Sequence, residues 1–277
     1  MDDDAALTAL EARLAALGSV CVAVSGGVDS SLVLALAVRA LGPAQVTAVT
    51  AVSPIFLVGE RDDARALAAR LGVEHVLLPT DELRDPVFVA NPRDRCYHCK
   101  AHLFDGIAAV ARERGRAALV DGANLDDLAD HRPGMRATGE RGVVHPLLEA
   151  GVGKAQVRRL ARRLGLAAWD APQQACLASR FPYGEPIDEE KLRRVAAAEA
   201  TLRELGFRQC RVRHHGPLAR VEVEAGEIGR AAGAARETIA RRLRALGFTY
   251  VTLDLDGFRS GSLNEAPEPG DAAAGRG

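Results

Sequence analysis

The sequence predicts an α/β protein, a doubly wound parallel sheet followed by a small α+β domain. Three observations carry that expectation. Short, wholly apolar, β-branched runs alternate with helical stretches through most of the chain, as strands buried on both faces of a parallel sheet do. The alternation changes after Pro182, where two neighbouring strands fall between long helices. A glycine-rich turn, Ser25-Gly26-Gly27-Val28-Asp29-Ser30-Ser31, joins the first strand to the next helix.

The elements follow in order. An Asp cap and apolar residues at helical spacing predict a helix over 4–17. Val20-Cys21-Val22-Ala23-Val24 reads as the first strand. Helices over 30–41, 61–71, 100–114 and 154–164 then alternate with strands over 46–52, 75–78 and 117–120. Beyond Pro182 the pattern predicts a helix over 187–205 and strands over 208–214 and 219–224, with a turn at His215-Gly216-Pro217. A helix over 228–246 and a strand over 250–255 complete it. The expected domains are 1–181 and 182–264, with a disordered Pro-, Gly- and Ala-rich tail at 265–277.

Composition excludes several classes. With 48% apolar residues in 277, a sizeable core can form, and a net charge of −1 argues against a nucleic-acid coat or a membrane surface. The acidic start MDDDAALTAL is no signal peptide, and no apolar run is long enough to span a bilayer. A cytoplasmic protein is expected, in which five cysteines form no disulfide framework. Cys21 and Cys210 lie within strands and read as packing.

The turn at 25–31 has the makings of a pyrophosphate cradle. Glycines let the backbone curl and expose its amides, and Ser30 and Ser31 open a helix whose N-terminus favours anions. It is neither a Walker A loop nor a GxGxxG dinucleotide turn. Asp121-Gly122-Ala123-Asn124 ends the fourth strand, where α/β ligand sites form. Cys96-Tyr97-His98-Cys99 is a CxxC with four readings: a redox pair, a zinc site with His98 or His102, chance, or an iron–sulfur site with the distant Cys176. Arg180, close to Cys176 in sequence, would favour its thiolate. Arg211 and Arg213 share one strand face, and the helix with Lys154, Arg158, Arg159, Arg162 and Arg163 reads as surface.

The string SGGVDSS resembles the loop of the ATP-pyrophosphatase superfamily. That resemblance implies ATP cleavage between the α- and β-phosphates, with Ser25, Gly26, Gly27, Asp29, Ser30, Ser31, Ser53 and Gly122 around the nucleotide and Asp29 holding Mg²⁺. RCYHCK at 95–100, DGANLDD at 121–127, HRPG at 131–134, CLASRFPYG at 176–184, RVRHHG at 211–216 and LDLDGFRSGSLN at 253–264 together resemble the LarE family of ATP-dependent sulfur transferases. The family implies a small-molecule substrate, pyridinium-3,5-biscarboxylic acid mononucleotide, whose carboxylates are adenylated and then converted to thiocarboxylates. It also implies a homo-oligomer, a hexamer, that binds neither nucleic acid nor membrane. Ser179, Arg180, Arg211 and Arg213 match its phosphate-binding positions, and Cys176 and Glu199 its catalytic ones. The CxxC places the chain with members that hold a 4Fe–4S cluster on Cys96, Cys99 and Cys176; members with only the third cysteine surrender its sulfur. A tRNA thiolase shares the ATP chemistry but needs an RNA-binding domain.

Overall fold

The computed structural model describes residues 1–129, 133–259 and 261–262. The tail expected at 265–277, and part of the 131–134 and 253–264 motifs, lie outside the described residues. The chain forms two compact units, Met1–Gln174 and one beginning at Ala175. Cys176 to Phe181 therefore belong with the second unit, whereas the sequence pattern draws its boundary at 181/182.

The first unit runs α1 (Asp3–Ala15), β1 (Val20–Ala23), α2 (Val28–Leu41), β2 (Val46–Val52), α3 (Val58–Leu71), β3 (Glu74–Pro79), α4 (Pro86–Val89), α5 (Arg95–Glu113), β4 (Ala118–Val120), α6 (Pro133–Gly139), α7 (Pro146–Glu149) and α8 (Lys154–Arg163). Its strands are parallel in the order β3-β2-β1-β4. Asp2 caps α1 by accepting from the Ala5 amide at 2.7 Å, so the helix starts at Asp3, one residue before the expected start at 4.

Strand β1 shows why the sheet is doubly covered. Val20 and Val22 join the core beneath α1, α2, α3 and α8, whereas Cys21 points the other way, into a cluster with Leu103, Phe104 and Ile107 of α5. All three β1 residues are fully buried, and each large apolar side chain so placed contributes roughly 1.5–3 kcal/mol. Burial pushes the Cys21 thiol up to about 11, which keeps it protonated and inert.

The second unit runs α9 (Glu189–Glu204), β5 (Cys210–His215), β6 (Leu218–Val223), α10 (Ile228–Ala232), α11 (Arg236–Ala245) and β7 (Tyr250–Leu253). β5 and β6 form an antiparallel hairpin whose turn places Gly216 at φ +59°, and β7 adds parallel to β6. The single helix expected over 228–246 is broken. Gly233, at φ −105° and ψ −103°, leaves the helical region and separates α10 from α11. The helix expected from residue 100 instead begins at Arg95, so the CxxC lies within α5.

Candidate active site

The phosphate loop connects β1 to α2. Gly26 sits at φ +85°, and a Cβ there would run into the Glu60 carbonyl, so both backbone shape and space demand glycine. Ser30 closes the loop from inside. Its Oγ accepts from the Ser25 amide at 3.1 Å, donates to the Gly27 carbonyl at 3.2 Å and lies 3.2 Å from Ser25 Oγ. The Gly27 amide donates to Ser25 Oγ at 3.3 Å. Ser30 and Ser31 are both buried, and the first turn of α2 that they belong to is the kind of helix N-terminus that favours an anion.

Asp29 stands in that first turn, where a carboxylate also favours the helix N-terminus. Its two oxygens have different partners. Asn124 Nδ2 donates to Oδ1 at 3.3 Å, and Lys154 Nζ forms an ion pair with Oδ2. Lys154 opens α8, and its own amide donates to Asp126 Oδ2 at 2.5 Å. The 121–127 loop and the start of α8 are thus stitched together beside Asp29. The surface reading of the α8 cations fails for Lys154, while Arg159 and Arg163 do pair at the surface with Asp3 and Asp4 of α1. Only a Gly-Lys at a helix start marked Lys154 in the sequence, and spacing could not connect it to a residue 125 positions away.

Gly122 explains the close fit of the β4 end. A Cβ there would lie 2.6 Å from the Ser30 amide nitrogen, so glycine lets this loop touch the phosphate loop. Ser53, at the end of β2, spends its hydroxyl on the Ile55 amide at 3.3 Å and its carbonyl on Phe56 at 3.1 Å. Asp29 offers hard carboxylate oxygens beside a helix N-terminus, a donor set that suits Mg²⁺.

The CxxC thiols are half-buried on the first turns of α5, three residues apart on one face. Cys99 Sγ lies 4.0 Å from Glu82 Oε1, and the other oxygen of this buried carboxylate has no hydrogen-bond partner. Among the described residues no group of three or more His, Cys, Asp or Glu side chains is arranged to hold a metal. Cys21 and Cys210 are buried, as expected for packing.

The second unit holds a buried ionic interior. Arg180, fully buried, grips Glu199 with two bonds of 2.7 and 2.9 Å. Its remaining nitrogen donates to the carbonyls of Ala175 and Cys176, at 2.8 and 3.1 Å, and to Ser179 Oγ at 2.9 Å. The guanidinium therefore holds the Cys176 turn by its backbone. Arg213 grips Glu222 in the same way at 3.0 and 2.9 Å and donates to the Ser179 carbonyl at 2.8 Å. Glu199 is held below the usual carboxylate value: burial raises it, but the charge and hydrogen bonds of Arg180, with the charge of Arg211 and the Val212 amide, together outweigh burial. Arg211 is pushed down to about 10, by burial first and then by the charge of Arg180. Around Glu199 and Glu222 gather Arg180, Arg203, Arg211, Arg213 and Arg220, an excess of positive charge.

A parallel sheet bearing this loop at a helix N-terminus defines an ATP-pyrophosphatase-type nucleotide enzyme. The asparagine synthase family matches residues 3–93. A pyridinium-3,5-bisthiocarboxylic acid mononucleotide synthase of Lactiplantibacillus plantarum is 41% identical over 256 residues, 92% of this chain and 92% of that protein. An uncharacterised protein of Synechocystis is 46% identical over 244 residues, 88% of this chain and 91% of the other. An NH3-dependent NAD⁺ synthetase of Chlorobaculum tepidum is 37% identical over 82 residues, 30% of each chain. This chain belongs to the pyridinium-3,5-bisthiocarboxylic acid mononucleotide synthase family, and is an ATP-dependent sulfur transferase. Among the described residues no helix is long and apolar enough to cross a membrane.

Proposed function

We propose that the chain activates the carboxylates of pyridinium-3,5-biscarboxylic acid mononucleotide with ATP and replaces an oxygen of each with sulfur. The observation that carries this is the Asp29 carboxylate at the N-terminus of α2, framed by Gly26 and Gly122. A substrate carboxylate oxygen attacks the α-phosphorus and pyrophosphate leaves. A sulfur nucleophile then adds to the acyl-adenylate carbon, and AMP departs with the carboxylate oxygen. The α2 amides receive phosphate oxygens. Asp29 would hold Mg²⁺, which would neutralise the leaving pyrophosphate. Lys154, freed from Asp29, supplies a further positive charge to the same phosphates.

The arginine excess of the second unit supports a substrate phosphate site among the expected residues Ser179, Arg180, Arg211 and Arg213, to which Arg180, fully buried with its nitrogens on Glu199 and backbone carbonyls, lends charge and no direct bond. An anion restores what burial and the neighbouring guanidiniums take from Arg211. Glu199, expected as a catalytic residue, is fully buried with its oxygens on Arg180 and the Val212 amide, so in this reading it serves through Arg180 by fixing the turn that carries Cys176.

Cys96, Cys99 and Cys176 would hold a 4Fe–4S cluster, which would carry the sulfur, in a homo-oligomer. The half-buried state of these three thiols, against the full burial of Cys21 and Cys210, supports that assignment. When bound, such a cluster supplies an iron open to exogenous sulfide. Anaerobic protein assayed for iron and labile sulfide, with mass spectrometry of Cys176 after turnover, tests it. Four irons per chain and an intact Cys176 are expected. Iron-free protein with Cys176 converted to dehydroalanine in step with product would establish sacrifice of the cysteine sulfur instead.

A further inference from the structure

A second polar cluster lies behind the phosphate loop. Val144 runs beside β4 in a parallel bridge with Val120, its amide donating to Leu119 at 2.8 Å, and this sets His145 next to Asp121. His145 Nδ1 is 2.7 Å from Asp121 Oδ1, and Nε2 is 3.3 Å from Thr138 Oγ1. All three residues are buried. The Thr138 hydroxyl already donates its hydrogen to the Met135 carbonyl at 2.9 Å. Its oxygen can therefore only accept from the ring, and so can the carboxylate. Both imidazole nitrogens face acceptors, an arrangement only an imidazolium satisfies in full.

The carboxylate so held is a structural part of the ATP site. Asp121 Oδ1 also accepts from the Ala123 amide at 3.0 Å, which bends the chain at Gly122. Gly122 abuts the Ser30 amide, and Asn124 binds Asp29. We propose that His145 is a positioning residue for ATP: its imidazolium holds Asp121 and, through it, presses the 121–124 loop against the phosphate loop. This rests on the family's ATP chemistry and not on the source of sulfur.

The groups facing His145 are Asp121 at the end of β4, Thr138 of α6, Glu149 of α7, whose Oε1 accepts from the His145 amide at 3.2 Å, and Lys100 of α5. Burial and Lys100 oppose its charge, but Asp121 and Glu149 outweigh them, and the imidazole is raised above its ordinary value. Asp121 is held below its own: burial raises it, and His145 and Lys100 more than compensate. A raised base keeps its contribution below about pH 6.5 and loses it as pH climbs through the folded value.

Imidazole NMR of the wild-type protein is the first test. The His145 ring should titrate above about 6.5, with the Gly122 and Ala123 amides moving at the same midpoint. Calorimetric Mg·ATP affinity, measured without any sulfur acceptor, should weaken on the alkaline side of that midpoint. His145→Ala should bind Mg·ATP about tenfold more weakly, the low end for outer hydrogen-bond partners, with that pH dependence gone. Should the variant not fold, the wild-type titration decides. A ring that titrates at or below its ordinary value, or silent loop amides in a protein that binds Mg·ATP normally, overturns the positioning role alone. Wild-type protein that binds no Mg·ATP overturns the ATP reading on which it rests.

Discussion

The phosphate loop and the arginine interior both manage charge, by opposite means. In the first unit a partly accessible carboxylate, Asp29, has one amide and one ammonium partner, and backbone amides supply the rest of the field. In the second unit Arg180–Glu199 and Arg213–Glu222 are bidentate and almost wholly withdrawn from water. A charge near water exchanges partners at low cost, whereas a buried one is held by its partner. The first arrangement suits a site where ligands come and go each cycle. The second suits a scaffold that holds one turn, the Cys176 turn, in one place and presents the proposed phosphate site in a fixed shape.

The largest effect should come from breaking the scaffold. Glu199→Ala leaves Arg180 buried without its carboxylate and should cost about 3–5 kcal/mol in urea unfolding. A loss below about 1 kcal/mol, the range of exposed pairs, would mean that the two regions do not differ as argued. Asp29→Ala should do the reverse. Unfolding should shift by less than about 1 kcal/mol, the scale of a helix-end charge. AMP and pyrophosphate formation should fall by two orders of magnitude or more, roughly 2.7 kcal/mol of barrier. ADP and free phosphate as products would refute the assigned cleavage.

Acid sharpens the contrast. Glu199 has a depressed folded value, so its stabilisation is fully present above about pH 4.3 and is lost as pH falls through that lower value. Urea midpoints followed from neutral pH into the acid range should drop, and Glu199→Gln should flatten the drop; an unchanged slope would remove Glu199 from the scaffold. The smallest effect is one of reactivity. In the folded, metal-free protein a thiol reagent should modify Cys96, Cys99 and Cys176, leaving Cys21 and Cys210, each raised to about 11 by burial, until unfolding. Early labelling of Cys21 would contradict the two-sided burial of β1.

The two regions were unequally legible in the sequence. The strand–loop–helix around 25–31 was readable because its constraints are local: an apolar run, glycines where the chain must curl, and an acid at a helix start. The sheet alternation was readable for the same reason. The break at Gly233 was missed because flanking alanines continue a helical pattern through it. Lys154 and His145 were missed because Asp29 and Asp121, their partners, are adjacent only after the sheet forms. Glu199 and Arg180, nineteen residues apart, carried no pattern that told a buried clamp from two solvated charges.

The ion pair between Lys154 and Asp29 has one more consequence. The carboxylate oxygen that takes the ammonium is a hard donor that a divalent cation also wants, so the two occupancies compete. If Asp29 takes Mg²⁺ as proposed, metal uptake and lysine release are one linked equilibrium, and the apparent Mg²⁺ affinity contains the free energy of separating the pair. On the proposed reading the lysine is an internal counterion: it would keep the loop from presenting a bare anion to an incoming polyanion, and would leave when the nucleotide brings its own metal.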